Sequence, residues 1–317
     1  MAAVKTAVVA LGGNAISPQS EEDTIANQFR RTRDSLGAIL HLVENNYHLA
    51  MTHGNGPQVG NALLRVELSR GKAPVLPLGI CVADVSGGMG YMIEQSLQNR
   101  LRMEDIPRDV VTVVSQVIVD KDDPSILNPT KFIGQFYQEE EAKRLAEESG
   151  WTVREDPVRG GWRRVVASPV PREIVNYKII RKLVENGSVV ITAGGGGIPV
   201  YIDENGLLEG VDAVIDKDRA SAILARDIHA SELFIITDVP EVYLNYKKAN
   251  QQTLRQVTLP EIKQYVDEGH FGAGSMAPKI EAAISFLQDG GEKVTITSIE
   301  HLREAEQGER GTIITEA

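Results

Sequence analysis

The chain has 317 residues, of which 42% are hydrophobic and 24% are charged, as is typical of a folded globular protein rather than a disordered one. Its formal net charge is -11, and an acidic surface repels nucleic acid backbones and anionic lipid. The one cysteine, Cys81, permits neither an intrachain disulfide nor an all-cysteine zinc cage. We therefore expect no nucleic acid partner and no membrane partner. The apolar run at 7–11 is too short to span a bilayer and no cleavage site follows it, so we expect a cytoplasmic location.

The predicted elements alternate between strands and helices along most of the chain. Strands are predicted at short apolar runs, at 7–11, 49–52, 189–192, 233–237 and 294–297, and at a long β-branched run at 110–119. Helices are predicted where apolar residues recur at helical spacing, at 25–43, 57–66, 173–186, 219–227 and 279–288. Because the strands are continuously apolar, we expect an α/β fold with a mainly parallel sheet that is covered on both faces.

The segment 120–171 interrupts this alternation. It opens with a loop that contains Pro124 and Pro129 and continues as a charged helix at 135–149. Strand-like pieces at 151–154 and 162–167 then flank a turn that ends in two glycines. The pattern predicts a single domain over 1–317 with a helix-plus-hairpin insertion at 120–171.

Three predicted strands run directly into glycine-rich turns, at 12–14, 54–56 and 194–197. In an open parallel sheet, the loops at the carboxyl ends of the strands form the ligand crevice. Glycine lets backbone N–H groups approach a ligand closely, and a helix that follows adds partial positive charge. Three such loops predict a ligand with several phosphate or carboxylate oxygens, whereas a single one could reflect turn geometry alone.

The usual nucleotide and metal signatures are absent from the sequence. It contains no G-x-x-x-x-G-K-[ST] loop and no G-x-G-x-x-G followed at the right spacing by an acidic residue. Its six histidines include no pair at metal-ligand spacing. We therefore expect no zinc, no NAD and no flavin.

Three lysines lie where a turn meets a predicted element. Lys131 and Lys279 stand close behind a proline, and Lys217 lies between Asp216 and Asp218. Most lysines are solvated surface charges, but this context favours a cationic site. Either aspartate could orient the lysines or hold Mg²⁺, and either could equally be a helix N-cap.

No Ser-His-Asp pattern and no obvious general base accompany these motifs. Their absence limits the reactions that the site could catalyse. Phosphoryl transfer needs little covalent help, since the enzyme aligns two anions and spreads the developing charge over lysines, backbone N–H groups and Mg²⁺. Without a base, the acceptor must already be ionised, as a carboxylate or carbamate is at neutral pH. The motifs therefore predict an acyl phosphate product, and His53 is expected to hydrogen-bond within its turn.

Six motifs in order carry a resemblance along nearly the whole chain: ALGGNA at 10–15, THGNGPQVG at 52–60, NPTK at 128–131, AGGGGIP at 193–199, VIDKD at 214–218 and GSMAPK at 274–279. The sequence thereby resembles the carbamate kinases of the amino-acid kinase family. The resemblance implies reversible phosphoryl transfer between MgATP and carbamate, which gives MgADP and carbamoyl phosphate, by a homodimer.

The resemblance also implies an architecture, a three-layer αβα sandwich around a roughly eight-stranded sheet. The insertion at 120–171 would be a protruding subdomain that forms a lid over the substrate site. The N-terminal part of the chain would hold carbamate and the phosphoryl group, and about 210–317 would bind the nucleotide. Mg²⁺ would be held mainly by the phosphates of ATP or ADP.

Roles for individual residues follow from the matching motifs. The residues that would bind substrate and the transferred phosphoryl group are Gly12, Gly13, Asn14, Gly54, Asn55, Gly195 and Gly196. The residues that would carry catalysis are Lys131, Lys217, Asp218 and Lys279, with Asp218 as the organiser of the lysines. The residues that would border the nucleotide are Lys217, Thr237, Asp238, Tyr243, Met276 and Lys279.

One stretch departs from the family pattern. After CVA at 81–83 the family usually continues Met-Ser/Thr-Gln-Gly, whereas this chain has DVSG at 84–87. The glutamine is thus replaced by Ser86, and an acidic Asp84 is added. The change bears on substrate specificity or on the subunit contact.

Two alternatives remain from the sequence. An amino-acid kinase that acts on another carboxylate, such as an N-acylated amino acid, would need a cationic anchor for the extra carboxylate. A nucleotide-binding sensor without catalysis predicts loss of a reactive lysine, but Lys131, Lys217 and Lys279 are all present. An aspartokinase is not expected, because it usually carries an appended regulatory domain, for which no residues remain in the 317.

Overall fold

The structure, a computed structural model, describes residues 4–13, 24–156, 160–272 and 276–317. The strands are β1 Lys5–Leu11, β2 Tyr47–His53, β3 Val110–Val113, β4 Gln116–Val119, β5 Lys131–Tyr137, β6 Thr152–Glu155, β7 Trp162–Val166, β8 Pro171–Ile174, β9 Val189–Thr192, β10 Ile198–Ile202, β11 Leu208–Gly210, β12 Glu232–Thr237, β13 Val242–Leu244, β14 Gln252–Leu254, β15 Gln256–Thr258, β16 Lys293–Ser298 and β17 Thr312–Thr315. The helices are α1 Ile25–Glu44, α2 Gly56–Leu68, α3 Leu78–Met103, α4 Pro124–Leu127, α5 Glu139–Ser149, α6 Tyr177–Glu185, α7 Lys217–Asp227, α8 Leu259–Asp267, α9 Ala277–Gln288 and α10 Leu302–Glu306.

The central sheet has eight strands in the order β15-β17-β16-β12-β1-β2-β9-β3. Every neighbouring pair from β16 to β3 is parallel. At the other edge, β17 runs antiparallel to β16, and β15 pairs with β17 in parallel. The expected mainly parallel, eight-stranded α/β fold is thus confirmed.

Two hydrophobic cores lie on opposite faces of this sheet. Alternate residues of one strand enter different cores, so Val8 of β1 packs with α6, α7 and α9, while Val9 packs with α1, α3 and α10. On β12, Leu233 and Phe234 divide in the same way. The result is a three-layer αβα sandwich, and burial on both faces explains why the middle of each of these strands is continuously apolar.

The run predicted as one strand at 110–119 forms two strands in two different sheets. β3 lies at the edge of the central sheet, whereas β4 belongs to a four-stranded sheet in the order β11-β10-β4-β8. Between them, the Ser115 carbonyl accepts a hydrogen bond from the Ile198 N–H at 2.9 Å. The single-strand prediction was wrong because a β-branched run carries no sign of where the chain changes sheets.

Two predicted helices begin later than expected. Helix α6 starts at Tyr177, because the residues before it form β8, in which Glu173 pairs with Ile118 of β4. Helix α5 starts at Glu139, because β5 continues through Tyr137. In both places strand pairing overrides a sequence that is compatible with a helix.

The chain between β4 and β8 forms a separate antiparallel sheet in the order β5-β7-β6, with α5 between β5 and β6. The predicted hairpin is β6–β7, whose turn at 157–159 lies outside the described residues. Strand β5 is a third strand, and Lys131, expected in a loop, is its first residue. This sheet lies on α2, where a Cβ on Gly60 would stand 2.2 Å from the Gly134 Cα.

No helix in the described ranges combines the length and the apolar character that crossing a membrane requires.

Candidate active site

The carboxyl ends of β1, β2 and β9 meet at one edge of the central sheet, because the three strands are adjacent and parallel. The first two glycine loops touch there. The Gly54 N–H donates to the Leu11 carbonyl at 3.1 Å, and a Cβ on Gly54 would lie 2.9 Å from the Gly13 nitrogen. A Cβ on Gly12 would in turn lie 3.0 Å from the Ile236 carbonyl oxygen. Glycine is needed here for the close approach of backbones; Asn14, the third residue of the first loop, lies outside the described residues.

The third glycine loop follows β9 and folds back on the second. Gly195, Gly196 and Gly197 have φ values of 63°, 92° and 87°, and Ala193 is also left-handed at 46°. A Cβ on Gly195 would stand 1.8 Å from the Asn55 Nδ2 atom. The loop therefore requires glycine, because its backbone is left-handed and because Gly195 lies too close to Asn55 for any larger residue.

Asn55 is an unsatisfied polar group at this edge. Its side chain is buried, and its Nδ2 has no hydrogen-bond partner among the described residues. A buried amide donor without a partner costs about 1–3 kcal/mol in free energy unless a ligand satisfies it. The arrangement therefore fits a ligand oxygen beside the second and third loops.

His53, at the end of β2, is fully enclosed. Its Nδ1 lies 3.1 Å from the Gly54 carbonyl oxygen, which can only accept, so this nitrogen carries the hydrogen. Burial, the largest cause, and the charge of Lys217 together lower the pKa of His53 to about 4, against a partial rise from that hydrogen bond. The expected hydrogen bond within the turn is present, and the neutral ring is a poor base.

Two of the three lysines converge on one buried carboxylate. Asp218, in the first turn of α7, accepts from the Lys217 Nζ at 2.5 Å with Oδ1 and from the Lys279 Nζ at 3.0 Å with Oδ2. Lys279 lies in the first turn of α9, so this contact joins the first turns of the two helices. The carboxylate holds two ammonium groups side by side that would otherwise repel each other.

These two ammonium groups respond differently to burial. Desolvation lowers the pKa of Lys217 below its ordinary value, since the attraction of Asp218 only partly offsets burial and the charge of Lys279 adds to the fall. Desolvation acts on Lys279 in the same direction, but Asp218 outweighs it and raises the pKa of Lys279. Lys279 is thus the more firmly charged of the pair.

The third lysine reaches the same helix from the separate sheet. The Lys131 Nζ lies 3.3 Å from the Asp216 Oδ2. Asp216 is the N-cap of α7, and its Oδ1 accepts from the N–H groups of Asp218 and Arg219 at 2.9 and 3.3 Å. Asp216 is therefore both the N-cap of α7 and the partner of a lysine, two roles that the sequence had left open.

Helix α7 is tied to β2 by hydroxyl groups that the sequence did not reveal. The Ser221 hydroxyl donates to the Lys217 carbonyl at 2.6 Å, and the Thr52 hydroxyl lies 2.6 Å from the Ser221 Oγ. Both side chains are fully buried. This chain of contacts fixes the first turn of α7 beside the glycine loops.

The residues predicted to border the nucleotide are spread over three elements. Thr237 ends β12, next to β1. Burial lowers the pKa of Lys279, but Asp218 and Asp216 raise it, and the negative charge of Asp238 adds a smaller rise. Met276 is the residue before α9. Tyr243 lies on the β13–β14 hairpin, where its hydroxyl donates to Glu241 at 2.9 Å. Contact of Tyr243 with a nucleotide stays a prediction.

The departure from the family pattern lies directly behind the third glycine loop. The Ser86 Oγ, on α3, lies 2.7 Å from the Val82 carbonyl oxygen and 2.9 Å from the Gly194 carbonyl oxygen. A Cβ on Gly194 would approach the Ser86 Cβ to 3.3 Å. Since the hydroxyl has one hydrogen, the two carbonyls share it, and Ser86 supports the third glycine loop from α3.

Comparison with known proteins shows the family. The model of the amino acid kinase family matches residues 5–298. The chain belongs to the amino acid kinase family. Within it, the carbamate kinase of Pyrococcus horikoshii is 46% identical and the alignment covers 97% of this chain and 98% of that protein. The carbamate kinase-like protein YahI of Escherichia coli has the same identity, 46%, over the same shares, 97% and 98%.

A solved structure from the same family agrees with this assignment. The carbamate kinase from Giardia lamblia bound to AMP-PNP is 42% identical, has a TM-score of 0.91 and covers 99% of each chain. The resemblance carried by the six motifs is thereby confirmed at the level of family and fold.

Proposed function

We propose that the chain is a carbamate kinase, which transfers a phosphoryl group reversibly between MgATP and carbamate and gives MgADP and carbamoyl phosphate. As a member of this kinase family it is an ATP-dependent phosphotransferase. The observation that carries the proposal is the pairing of Lys217 and Lys279 on Asp218, at the sheet edge where three glycine loops end. Bare amides and ammonium groups suit two anions that are held in line for phosphoryl transfer.

The glycine loops provide the binding part of the mechanism. Gly12 and Gly13 would offer amides to the transferred phosphoryl group, together with Asn14. The unsatisfied Asn55 amide, beside Gly54, would donate to a carbamate oxygen. The residues that would complete this cradle are Gly195 and Gly196.

The lysines provide the electrostatic part. Lys217 would lie against the transferred phosphoryl group, and its lowered pKa follows from the burial that also strengthens its attraction for an anion. Lys279 would lie along the ATP phosphates, and Lys131 would contact the substrate from the separate sheet. Asp218 would keep the first two in place, as a positioning group rather than a base.

No proton needs to be removed from the acceptor, because the carbamate oxygen is anionic at neutral pH. His53 could not serve well as a base, since it is buried, neutral and hydrogen-bonded to its own turn. The rate enhancement would come from alignment and from charge stabilisation.

We propose that Mg²⁺ arrives with the nucleotide and is held mainly by its phosphates, whose developing charge it would neutralise. Three or more metal-ligating side chains do not cluster anywhere in the described residues. The nearby carboxylates of Asp216 and Asp218 are engaged by ammonium groups and helix amides. Because these carboxylates are already engaged, the site fits an Mg²⁺ ion that is coordinated mainly by the nucleotide phosphates.

We propose that the segment 120–171 is a protruding subdomain that acts as a lid, with the nucleotide bound by about 210–317 of the single domain 1–317. The separate β5-β7-β6 sheet and the contact of Lys131 with α7 support this division. A homodimer is proposed as well, supported by apolar residues exposed on and before α3, namely Val75, Ile80 and Tyr91. The cytoplasm remains the proposed location.

The experiment that tests this function is an assay of ADP formation by the purified protein with carbamate and, in parallel, with N-acetylglutamate. We expect turnover with carbamate and none above background with the acylated amino acid. Activity with N-acetylglutamate alone would overturn the substrate assignment. Nucleotide binding without turnover on either substrate would favour the sensor.

A further inference from the structure

Asp216 connects two parts of the site that are far apart in the chain. One carboxylate oxygen caps α7 by accepting from the N–H groups of Asp218 and Arg219 at 2.9 and 3.3 Å. The other accepts from the Lys131 Nζ at 3.3 Å, across a separation of 85 residues. The cap fixes the orientation of the carboxylate, so it also fixes the direction in which the second oxygen points.

The two carboxylates of the site divide the three ammonium groups between them. Asp218 is 3% exposed and holds Lys217 and Lys279, which belong to helices of the main body. Asp216 holds Lys131, which belongs to the separate sheet and whose side chain is 27% exposed. Lys131 is therefore the ammonium group with the most freedom to leave the site, and Asp216 is its contact there.

The charge of Asp216 is secured by its surroundings. Burial alone would raise its pKa, but the ammonium groups of Lys131 and Lys217 and the amide of Arg219 outweigh burial and hold the pKa far below its ordinary value. The carboxylate is consequently ionised wherever the protein is folded near neutral pH.

The rest of the separate sheet is tied to a different helix. Gly134 of β5 meets Gly60 of α2, and the Ser149 hydroxyl at the end of α5 donates to the Glu67 carboxylate of α2 at 2.9 Å. These contacts place the sheet on α2 but say nothing of where the flexible Lys131 side chain points. The contact with Asp216 sets that direction.

We propose that Asp216 is a positioning residue that holds the Lys131 ammonium group over the anion site and so prepares it for the carbamate or carbamoyl phosphate. This inference rests on the proposed role of Lys131 in substrate binding. A free lysine side chain loses about 2 kcal/mol of rotamer entropy when it is ordered. If Asp216 orders it beforehand, part of that loss no longer opposes substrate binding.

The replacement Asp216→Asn separates the two roles of the residue. Asparagine caps helices about as well as aspartate, so α7 should remain intact and the melting temperature should stay within about 3 °C. The charge that attracts Lys131 is lost. We expect the KM for carbamoyl phosphate, measured as ATP formation from ADP, to rise about tenfold, the scale of one charge-assisted hydrogen bond. The KM for ADP should change less than about twofold.

A double-mutant cycle with Lys131→Met shows whether Asp216 acts through this lysine. In the Lys131→Met background, Asp216→Asn should change kcat/KM for carbamoyl phosphate by less than about twofold. A full tenfold loss in that background would overturn the proposal, since Asp216 would then act by another route. The matched control is Asp203→Asn, because Asp203 likewise accepts backbone N–H bonds, from Asn205 and Leu207, in an exposed turn between β10 and β11.

The outcomes also distinguish this inference from the proposed function. If the unmodified protein does not form ATP from ADP and carbamoyl phosphate, the proposed function fails. If it does, and Lys131→Met raises the KM while Asp216→Asn does not, the function stands and the positioning role of Asp216 is refuted.

Discussion

The two ends of the central sheet each bury one carboxylate between two lysines. At the amino ends of the strands, Glu232 accepts from the Nζ atoms of Lys5 and Lys293, both at 2.8 Å. The Tyr47 hydroxyl donates to the same carboxylate at 3.2 Å, and burial together with Glu232 raises the pKa of Tyr47, so the phenol keeps its proton. Side chains thus satisfy Glu232 from several directions.

At the carboxyl ends, Asp218 holds Lys217 and Lys279 with the same stoichiometry. Here the neighbouring backbone is glycine, and the buried Asn55 amide is left without a partner in the described residues. The comparison teaches that a carboxylate with two lysines does not by itself make an active site. The bare loops beside it, and the unsatisfied donor, mark the end that binds a ligand.

The largest expected effect comes from removing one lysine at each end. Lys217→Ala should lower kcat by ~10²-fold or more, the scale of losing one transition-state donor. Lys293→Ala, the matched control at the other end, should leave kcat within about twofold but destabilise the fold by roughly 1–3 kcal/mol, because Glu232 loses one of its charged donors. Initial rates and urea unfolding measure the two quantities. Equal losses of kcat in the two variants would contradict the assignment of the active site to the carboxyl ends of the strands.

A smaller effect is expected from filling the glycine loop. Gly195→Ala places a Cβ 1.8 Å from the Asn55 Nδ2, so the amide must move, and kcat/KM should fall about 10–100-fold. Gly206→Ala is the control, since Gly206 also has positive φ, at 80°, but its Cβ would meet nothing within 4 Å. That variant should lose about 1–3 kcal/mol of stability from backbone strain, with unchanged kcat/KM. Comparable kinetics in the two variants would contradict a ligand site at this loop.

The smallest expected effect concerns the pH dependence of the free energy of unfolding. His53, at the carboxyl ends of the strands, and Glu232, at the amino ends, should lower it over different pH ranges. The folded-state pKa of His53 is about 4, below its ordinary 6.5, so the unfolded chain takes up the proton first as the pH falls. Stability should therefore decline between about pH 6.5 and 4, by at most about 1.4 kcal/mol per pH unit. Burial raises the pKa of Glu232, but Lys293 and Lys5 outweigh it and lower that pKa, so its contribution is lost only below about pH 4.5.

The variants His53→Asn and Glu232→Gln test this separation by urea unfolding at a series of pH values. Asparagine can still donate to the Gly54 carbonyl but does not titrate, so the slope above pH 4.5 should flatten in His53→Asn relative to the unmodified protein. Glu232→Gln should alter the slope only below that pH. An unaltered slope in His53→Asn would show that the ring is not held neutral.

The sequence predicted the alternating elements well where their periodicity was clear, and failed where glycine obscured it. Helix α3 spans 26 residues but was not among the predicted helices. Its middle contains Gly87, Gly88 and Gly90, which are typical of loops. Gly90 is required by packing instead, because a Cβ there would lie 2.3 Å from the Thr112 side chain. The reason for that glycine is a contact between distant residues, which a local pattern does not contain.

The sequence by itself determined that three strands end in glycine loops and that three lysines stand beside turns, because strand ends and turns are local properties of the chain. Only the tertiary structure decided how the lysines are shared, with Lys217 and Lys279 on Asp218 and Lys131 on Asp216. The partners of Lys131 and Lys279 are 85 and 61 residues away along the chain. Such contacts depend on the order of the strands in the sheet and on which helices pack side by side. Periodicity specifies which face of an element is buried, but not its neighbour.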